Sequence, residues 1–276
     1  MCWKRWWRPL TPGRGGAEME HGRTDFRIAK VAVVIPVHNE EQHLGRALDG
    51  VRAAADVLQA SRPELDLAIV VVLDSCTDNS GAVAARIAAS DPRFSMCHVA
   101  FRSVGRSRRA GVRTILNGHH KPDLEAGLPP ATGTLWLANT DADSHVPEDW
   151  LVRQVMLADS GADAVLGTVE PDAAGMDGEL LRRWHLRHTL AEDHPHVFGA
   201  NLGVRASAYL LAGGFPRQRS HEDRVLVDRL RRRGFSVTST DTVRVLTSGR
   251  TEGRAPHGLG AYLLALRMES AVALES

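Results

Sequence analysis

Val31-Ala32-Val33-Val34-Ile35-Pro36-Val37-His38-Asn39-Glu40-Glu41 is the stretch that decides the fold. Its first five residues are apolar and mostly β-branched, with no polar alternation, as a strand covered by helices on both faces requires. Pro36 closes the run, and from Glu40 to Ala60 the residues Leu44, Ala47, Leu48, Val51 and Ala55 recur at helical spacing. A buried strand, a polar turn and an amphipathic helix make one βα unit, and the chain repeats the form. Leu67 to Leu73 reads as the second strand, Asp74 to Ser80 as its turn and Gly81 to Ala89 as its helix. Phe94 to Phe101 follows as a third strand, Gly105 to Leu116 as a basic helix, and Leu135 to Ala138 as the fourth strand after a loop over Asn117 to Thr132. Pro147-Glu148-Asp149-Trp150 opens a further helix with Pro at its first position and acids in its first turn. Later strands are expected at Ala162 to Val169, Val197 to Arg205, Phe235 to Val237 and Thr242 to Leu246. Helices are expected at Gly178 to Leu190, Ala206 to Ala212 and Glu222 to Arg233, with an amphipathic helix over Leu259 to Leu274. The pattern predicts an α/β fold, a single domain with a mostly parallel central sheet flanked by helices.

The chain of 276 residues can bury a sizeable core without staples, and Cys2, Cys76 and Cys97 provide neither a paired framework nor a CxxC metal knuckle. A formal charge of +1 argues against a nucleic-acid partner, as does the lack of aromatics in the basic stretch Arg102 to Arg113. The charge is uneven, because residues 1–30 hold seven Lys and Arg against three acids. Residues 1–29, which begin Met1-Cys2-Trp3-Lys4-Arg5-Trp6-Trp7-Arg8 and continue through Pro and Gly, read as a disordered leader. Its Trp and Arg also suit peripheral contact with an anionic membrane face. No run of about 18 apolar residues occurs, so no transmembrane segment is expected, and the cytoplasm or the inner face of its membrane is the expected location.

In parallel α/β sheets ligands bind beyond the carboxyl ends of the strands. Three strand ends carry polar groups there: His38-Asn39-Glu40-Glu41, Asp74-Ser75-Cys76-Thr77-Asp78 and Asn139-Thr140-Asp141-Ala142-Asp143. Each also reads as ordinary helix capping. Asp141-x-Asp143 is the sharpest, because two close carboxylates repel unless a cation sits between or beside them. Mn²⁺ or Mg²⁺ is the expected cofactor, completed by water and donor phosphate oxygens, which implies a nucleoside diphosphate. Neither GxxxxGK[ST] nor a GxGxxG after a strand is present, against P-loop and dinucleotide chemistry. His221-Glu222-Asp223 opens a helix, where a carboxylate either takes a proton from an acceptor hydroxyl or caps the helix. The histidines of Trp184 to His196 lack zinc spacing and read as surface or acceptor-loop residues.

Taken in order, Val33 to Glu41, Val71 to Ser80, Asp141-Ala142-Asp143 and Glu222-Asp223 resemble a family 2 glycosyltransferase of the GT-A fold, over roughly Lys30 to Leu246, which implies a GT-A domain over residues 30–250. Phe198 to Arg205 with Gly213-Gly214-Phe215 resembles that family's acceptor-side segment, which brings in Asn201 and Glu222. The resemblance implies that Pro36, His38 and Glu40 line the nucleotide, His38 standing where the family usually has Tyr, and that Asp74 accepts from the base. It implies that Arg108 or Arg109 reaches the diphosphate, that Asp143 with Asp141 beside it holds the metal, and that Asp223 is the general base of an inverting transfer. The expected partners are a nucleoside-diphosphate sugar and a hydroxyl acceptor on a small molecule, lipid or glycan. Thr247-Ser248-Gly249-Arg250 reads either as a segment closing over the diphosphate or as a surface turn. A sugar-phosphate nucleotidyltransferase would share the architecture but wants a basic Gly-rich loop where this chain has Pro36-Val37-His38-Asn39-Glu40. A non-catalytic nucleotide-sugar-binding protein would keep Asp74 and lack Asp143 or Asp223.

Overall fold

The unbroken β-branched run after Ala29 is buried on both sides, and it lies inside an eight-stranded sheet. The computed structural model describes residues 27–117, 130–174, 176–218, 221–251 and 258–274. The strands are β1 (Lys30–Val37), β2 (Asp66–Asp74), β3 (Phe94–Val99), β4 (Leu135–Asn139), β5 (Ser144–His145), β6 (Ala164–Pro171), β7 (Leu202–Arg205) and β8 (Val237–Thr247). Among the described residues their order is β3-β2-β1-β4-β7-β6-β8-β5. The pairs β1/β2, β1/β4, β2/β3 and β6/β8 are parallel, while β7 runs antiparallel between β4 and β6 and β5 antiparallel to β8.

Alternate residues of the strands feed opposite cores. Val31, Val33, Ile35 and Val37 pack toward helices α1 (Leu44–Ser61), α2 (Ser80–Ser90) and α4 (Trp150–Asp159). Ala32 and Val34 face α3 (Val104–Asn117), on the side that also holds α6 (Ala206–Leu211) and α7 (Glu222–Arg232). A third, small cluster joins α5 (Gly178–Arg187) to α8 (Leu259–Leu274) through Leu180, Trp184, Leu263 and Leu266. Because β1, β2 and β4 are mutually parallel, with Val37 beside Leu73 and Val34 beside Asn139, their carboxyl ends open on one edge.

Several boundaries differ from the sequence reading, each for a physical reason. Trp150 is the first helical residue of α4, since its N–H closes a turn onto the Pro147 carbonyl at 3.0 Å, so Pro147 lies before the helix and Asp149 is its N-cap. The two expected late strands are one strand, β8, whose polar Asp241 and Thr242 sit at an irregularity opposite Gly167 to Val169 and are held by Thr168 Oγ1 and Thr240 Oγ1. The strand expected from Val197 shrinks to Leu202–Arg205, because Gly199–Asn201 form a 3₁₀ turn. The helix over Leu259–Leu274 is apolar on both sides: Leu263 and Leu266 are buried while Leu264 and Met268 are 45% and 61% exposed. The leader through residue 26 and the expected loop around His119 and His120 lie outside the described residues.

Candidate active site

The turns after β1 and β2 lock onto each other, which accounts for much of the polar signature in those two stretches. Asn39, at φ +55°, accepts from the Thr77 N–H at 2.7 Å and donates to Thr77 Oγ1 at 3.1 Å. The Glu41 N–H donates to Asp78 and the Asn79 N–H donates to Glu41, both at 2.9 Å, while the Glu40 N–H reaches Ser80 Oγ at 2.8 Å. With these residues occupied in folding the turns, Pro36, His38, Glu40 and Asp74 are left lining a cleft of about 430 Å³, shared with Ser103, Asp141, Asp143 and Arg250. His38 Nδ1 donates to the Asp74 carbonyl at 2.6 Å, which orients the imidazole across the strand ends.

The Asp74 carboxylate is heavily engaged. The N–H groups of Phe101, Arg102 and Ser103 reach it at 2.7, 2.8 and 3.0 Å, and the hydroxyls of Ser107 and Ser75 at 2.7 and 3.1 Å. Burial pushes its pKa up, yet the amides of Ser103, Arg102 and Phe101 with the Ser107 hydroxyl outweigh burial and hold it below the ordinary carboxylate value. Two carboxylate oxygens offer about four lone-pair sites, so little capacity is left for a nucleotide base. Asp74 instead folds residues 101–103 into the cleft wall.

The turn after β4 carries Asp141 and Asp143, and Arg108 of α3 binds it to the start of α7. Arg108 is buried and donates through Nη2 to Asp141 Oδ1 and through Nη1 to Glu222 Oε1, both at 2.5 Å. Gly199 permits this placement, since a Cβ there would meet Arg108 Nη1 at 2.3 Å. The Gly199 N–H in turn donates to Asp223 Oδ2 at 2.8 Å, which leaves Asp223 half-buried beside the Arg108 pair. Glu222 is pushed above its ordinary pKa, first by burial and against the pull of Arg108.

Asp143 is the most perturbed carboxyl in the cleft. Burial and then the charge of Asp141 push its pKa up to about 6, with Glu40 adding and Arg250 opposing. The hard oxygens of Asp141 and Asp143, held in mutual repulsion, are a donor set that suits Mn²⁺ or Mg²⁺. Among the described residues no group of three or more His, Cys, Asp and Glu could hold a metal ion, so water and donor phosphate oxygens would supply its other ligands. Arg250, which follows β8, forks onto Glu40 at 2.7 and 2.5 Å and reaches Asp143 Oδ2 at 3.0 Å. Its pairing across 210 positions of sequence is a contact that only the β5/β8 register brings about, with Ser144 beside Thr247.

Three expected site residues are engaged inside the fold. Arg109 donates to the carbonyls of Gly213 and Phe215 at 3.1 and 2.9 Å, whereas Arg108 is the one that reaches the Asp141 carboxylate. Asn201 is buried and fully used: it donates to the Thr168 and Val243 carbonyls at 2.8 and 2.7 Å and accepts from Trp150 Nε1 at 2.9 Å, which ties β6, β8 and α4 together. Glu222 likewise meets Arg108 inside the protein and presents no carboxylate to an acceptor. The histidines downstream form a ring stack, His188 lying 4.2 Å from Trp184 and His196 5.7 Å from Phe198.

Residues 32–116 match the description "Glycosyl transferase family 2". The chain is 27% identical over 220 residues to the succinoglycan biosynthesis protein ExoA of Rhizobium meliloti (strain 1021), covering 76% of this chain and 60% of that protein. It is 32% identical over 159 residues to the undecaprenyl-phosphate 4-deoxy-4-formamido-L-arabinose transferase of Yersinia pestis (strain Pestoides F), covering 56% of this chain and 40% of the relative. The chain thus spans between 40 and 60% of the length of these relatives. Its fold matches that of the mannosyltransferase PcManGT from Pyrobaculum calidifontis, solved with GDP-Man and Mn²⁺, at a TM-score of 0.56 and 19% identity over 81% of this chain and 58% of that one. The segment from β1 through α3 is thus similar to the family 2 glycosyltransferases, and the chain carries the GT-A fold.

Proposed function

We propose that this protein transfers a sugar, with inversion, from a nucleoside diphosphate to an acceptor hydroxyl, and that the transfer depends on Mn²⁺ or Mg²⁺. The observation that carries the reading is the Arg108 bridge, which holds the carboxylates of the donor turn and the start of α7 one guanidinium apart. Asp223 takes the proton of the acceptor hydroxyl as its oxygen bonds to the anomeric carbon. The bond from that carbon to the phosphate oxygen breaks with its electron pair leaving on the diphosphate. Pro36, His38 and Glu40 border the base and ribose, Asp74 shapes that pocket through residues 101–103, and Arg108 fixes Asp141 and the base segment. Asp143 and Asp141 would hold the divalent cation, whose chemistry is to neutralise charge on the departing diphosphate.

A lipid-linked acceptor reached at a membrane surface is favoured by the exposed Leu264 and Met268 on α8, since the first residues of that helix, Leu259 and Gly260, line the same cleft. No helix among the described residues is long and apolar enough to cross a membrane, so that contact would be peripheral, from the cytoplasmic side. The experiment is a comparison of wild type with Asp223→Asn, following nucleotide binding and nucleoside diphosphate release from UDP-, GDP- and TDP-sugars with Mn²⁺. The reading requires binding in both proteins and turnover only in wild type; equal turnover would remove Asp223 as the base.

A further inference from the structure

Four carboxylates in and behind the cleft, Glu40, Asp141, Asp143 and Glu222, pair with two arginines, Arg108 and Arg250, in different ways. Arg108 is walled in: its side chain is 3% exposed and the Gly199 backbone packs against its guanidinium. Arg250 is less enclosed. Its side chain is 23% exposed, against 8% for Glu40 and 19% for Asp143, so the guanidinium is the most accessible member of this trio. It stands three residues past the end of β8, and its own N–H is held by a single long contact of 3.5 Å to Ser248 Oγ. Arg250 also lies between two hollows, the donor cleft and a second one of about 280 Å³ lined by Arg46, His145 and Asp172. A side chain placed there has space on either side.

The guanidinium at 3.0 Å from Asp143 Oδ2 opposes a metal ion on that carboxylate, because two cations drawn to the same anion at this distance repel each other. A guanidinium also pairs with a diphosphate by the same planar fork that it now gives Glu40. On the proposed donor reading, on which this step rests, we infer that Arg250 is a removable stand-in for the cation. It neutralises Glu40 and Asp143 while the donor is absent and passes to the diphosphate when the nucleotide arrives with its metal. Cation and donor therefore enter together, and the ion alone is kept out.

The test is a titration of the full chain with Mn²⁺, read by the loss of the free-ion electron paramagnetic resonance signal, with and without UDP, GDP and TDP. It compares wild type with Arg250→Ala and Arg250→Lys. Arg250→Ala should bind Mn²⁺ alone at least about tenfold more tightly than wild type, since the carboxylates lose their counter-charge. It should bind Mn²⁺ with nucleotide at least about tenfold more weakly, since the diphosphate loses its fork. A side chain that merely braces the loop would not move these two affinities in opposite directions. Arg250→Lys keeps the charge without the fork, so it should exclude the lone ion as wild type does, which separates the effect from misfolding. If wild type takes up Mn²⁺ with nucleotide but Arg250→Ala holds the lone ion no better, the stand-in role is overturned and the donor reading stands. If no nucleotide binds to any of the three proteins, the donor reading falls and takes this inference with it.

Discussion

Replacing Arg108 by methionine removes the guanidinium that pairs with Glu222, in a place where both side chains are buried, at 3% and 5% exposure. Cutting one partner out of a buried pair costs about 3–5 kcal/mol, because the remaining charge is left without water or counter-ion. At about 2–4 °C per kcal/mol for a domain of this size, the melting temperature should fall by about 6–20 °C. The loss should depend on pH in a direction that the structure sets. Burial already pushes Glu222 above its ordinary pKa with Arg108 in place, and removing the arginine pushes it further. An acid whose folded pKa lies above its unfolded value of about 4.3 costs stability as pH rises through that folded value, and the cost vanishes below the unfolded one. The gap between wild type and Arg108→Met should therefore narrow from about pH 7.5 to about pH 5, as urea titrations at both values would measure. Arg108→Met with Glu222→Gln should recover at least half of the loss at the higher pH. A single variant that melts within about 2 °C of wild type, or a double variant less stable than the single one, would refute the claim that this pair is a buried, mutually dependent unit.

Three further outcomes follow from the hydrogen bonds. Arg109→Ala should cost about 1–3 kcal/mol through its lost bonds to the Gly213 and Phe215 carbonyls, yet leave nucleotide affinity unchanged in a calorimetric titration, whereas Arg108→Met should lose that affinity. Asn201→Leu should lower stability by about 3 kcal/mol, since two carbonyls and the Trp150 indole lose their partner, without changing nucleotide affinity of the folded protein. Asp74→Asn puts an amide where Ser103 N–H and Ser107 hydroxyl donate, and it should cost about 2–3 kcal/mol at neutral pH. Because the folded pKa of Asp74 is depressed, wild type keeps this contribution above the unfolded value of about 3.9 and loses it as pH falls through the folded one. The variant should lack that acid limb in an acid-denaturation curve.

The parts of the fold legible in the sequence are those written in continuous local runs. β1, β2 and β4 read out directly because each is buried on both faces, and the helices of the first half read out from their spacing. The two-residue β5 carries no local signal, and β8 was split because Asp241 and Thr242 look like a break until the irregularity opposite Gly167 supplies their partners. The site was legible wherever chemistry follows a strand directly, as at His38, Glu40, Asp74, Asp141 and Asp143, all of which line one cleft. It was not legible where two readings share one spacing. Arg108 and Arg109 are adjacent in sequence but reach different partners, and Asn201 looks like a ligand only until its three partners are counted. Arg250 was visible as the end of a segment with two readings, but its fork onto Glu40 depends on tertiary register alone.

The central claim is that the edge formed by β1, β2 and β4 is a metal-dependent nucleoside-diphosphate site. The most direct test is a calorimetric titration of the full chain with UDP, GDP and TDP, each with and without Mn²⁺, repeated on Asp143→Ala. The account predicts that one nucleotide binds, that binding needs Mn²⁺, and that Asp143→Ala abolishes it. Absence of binding by all three nucleotides, or binding indifferent to both Mn²⁺ and Asp143, would contradict it.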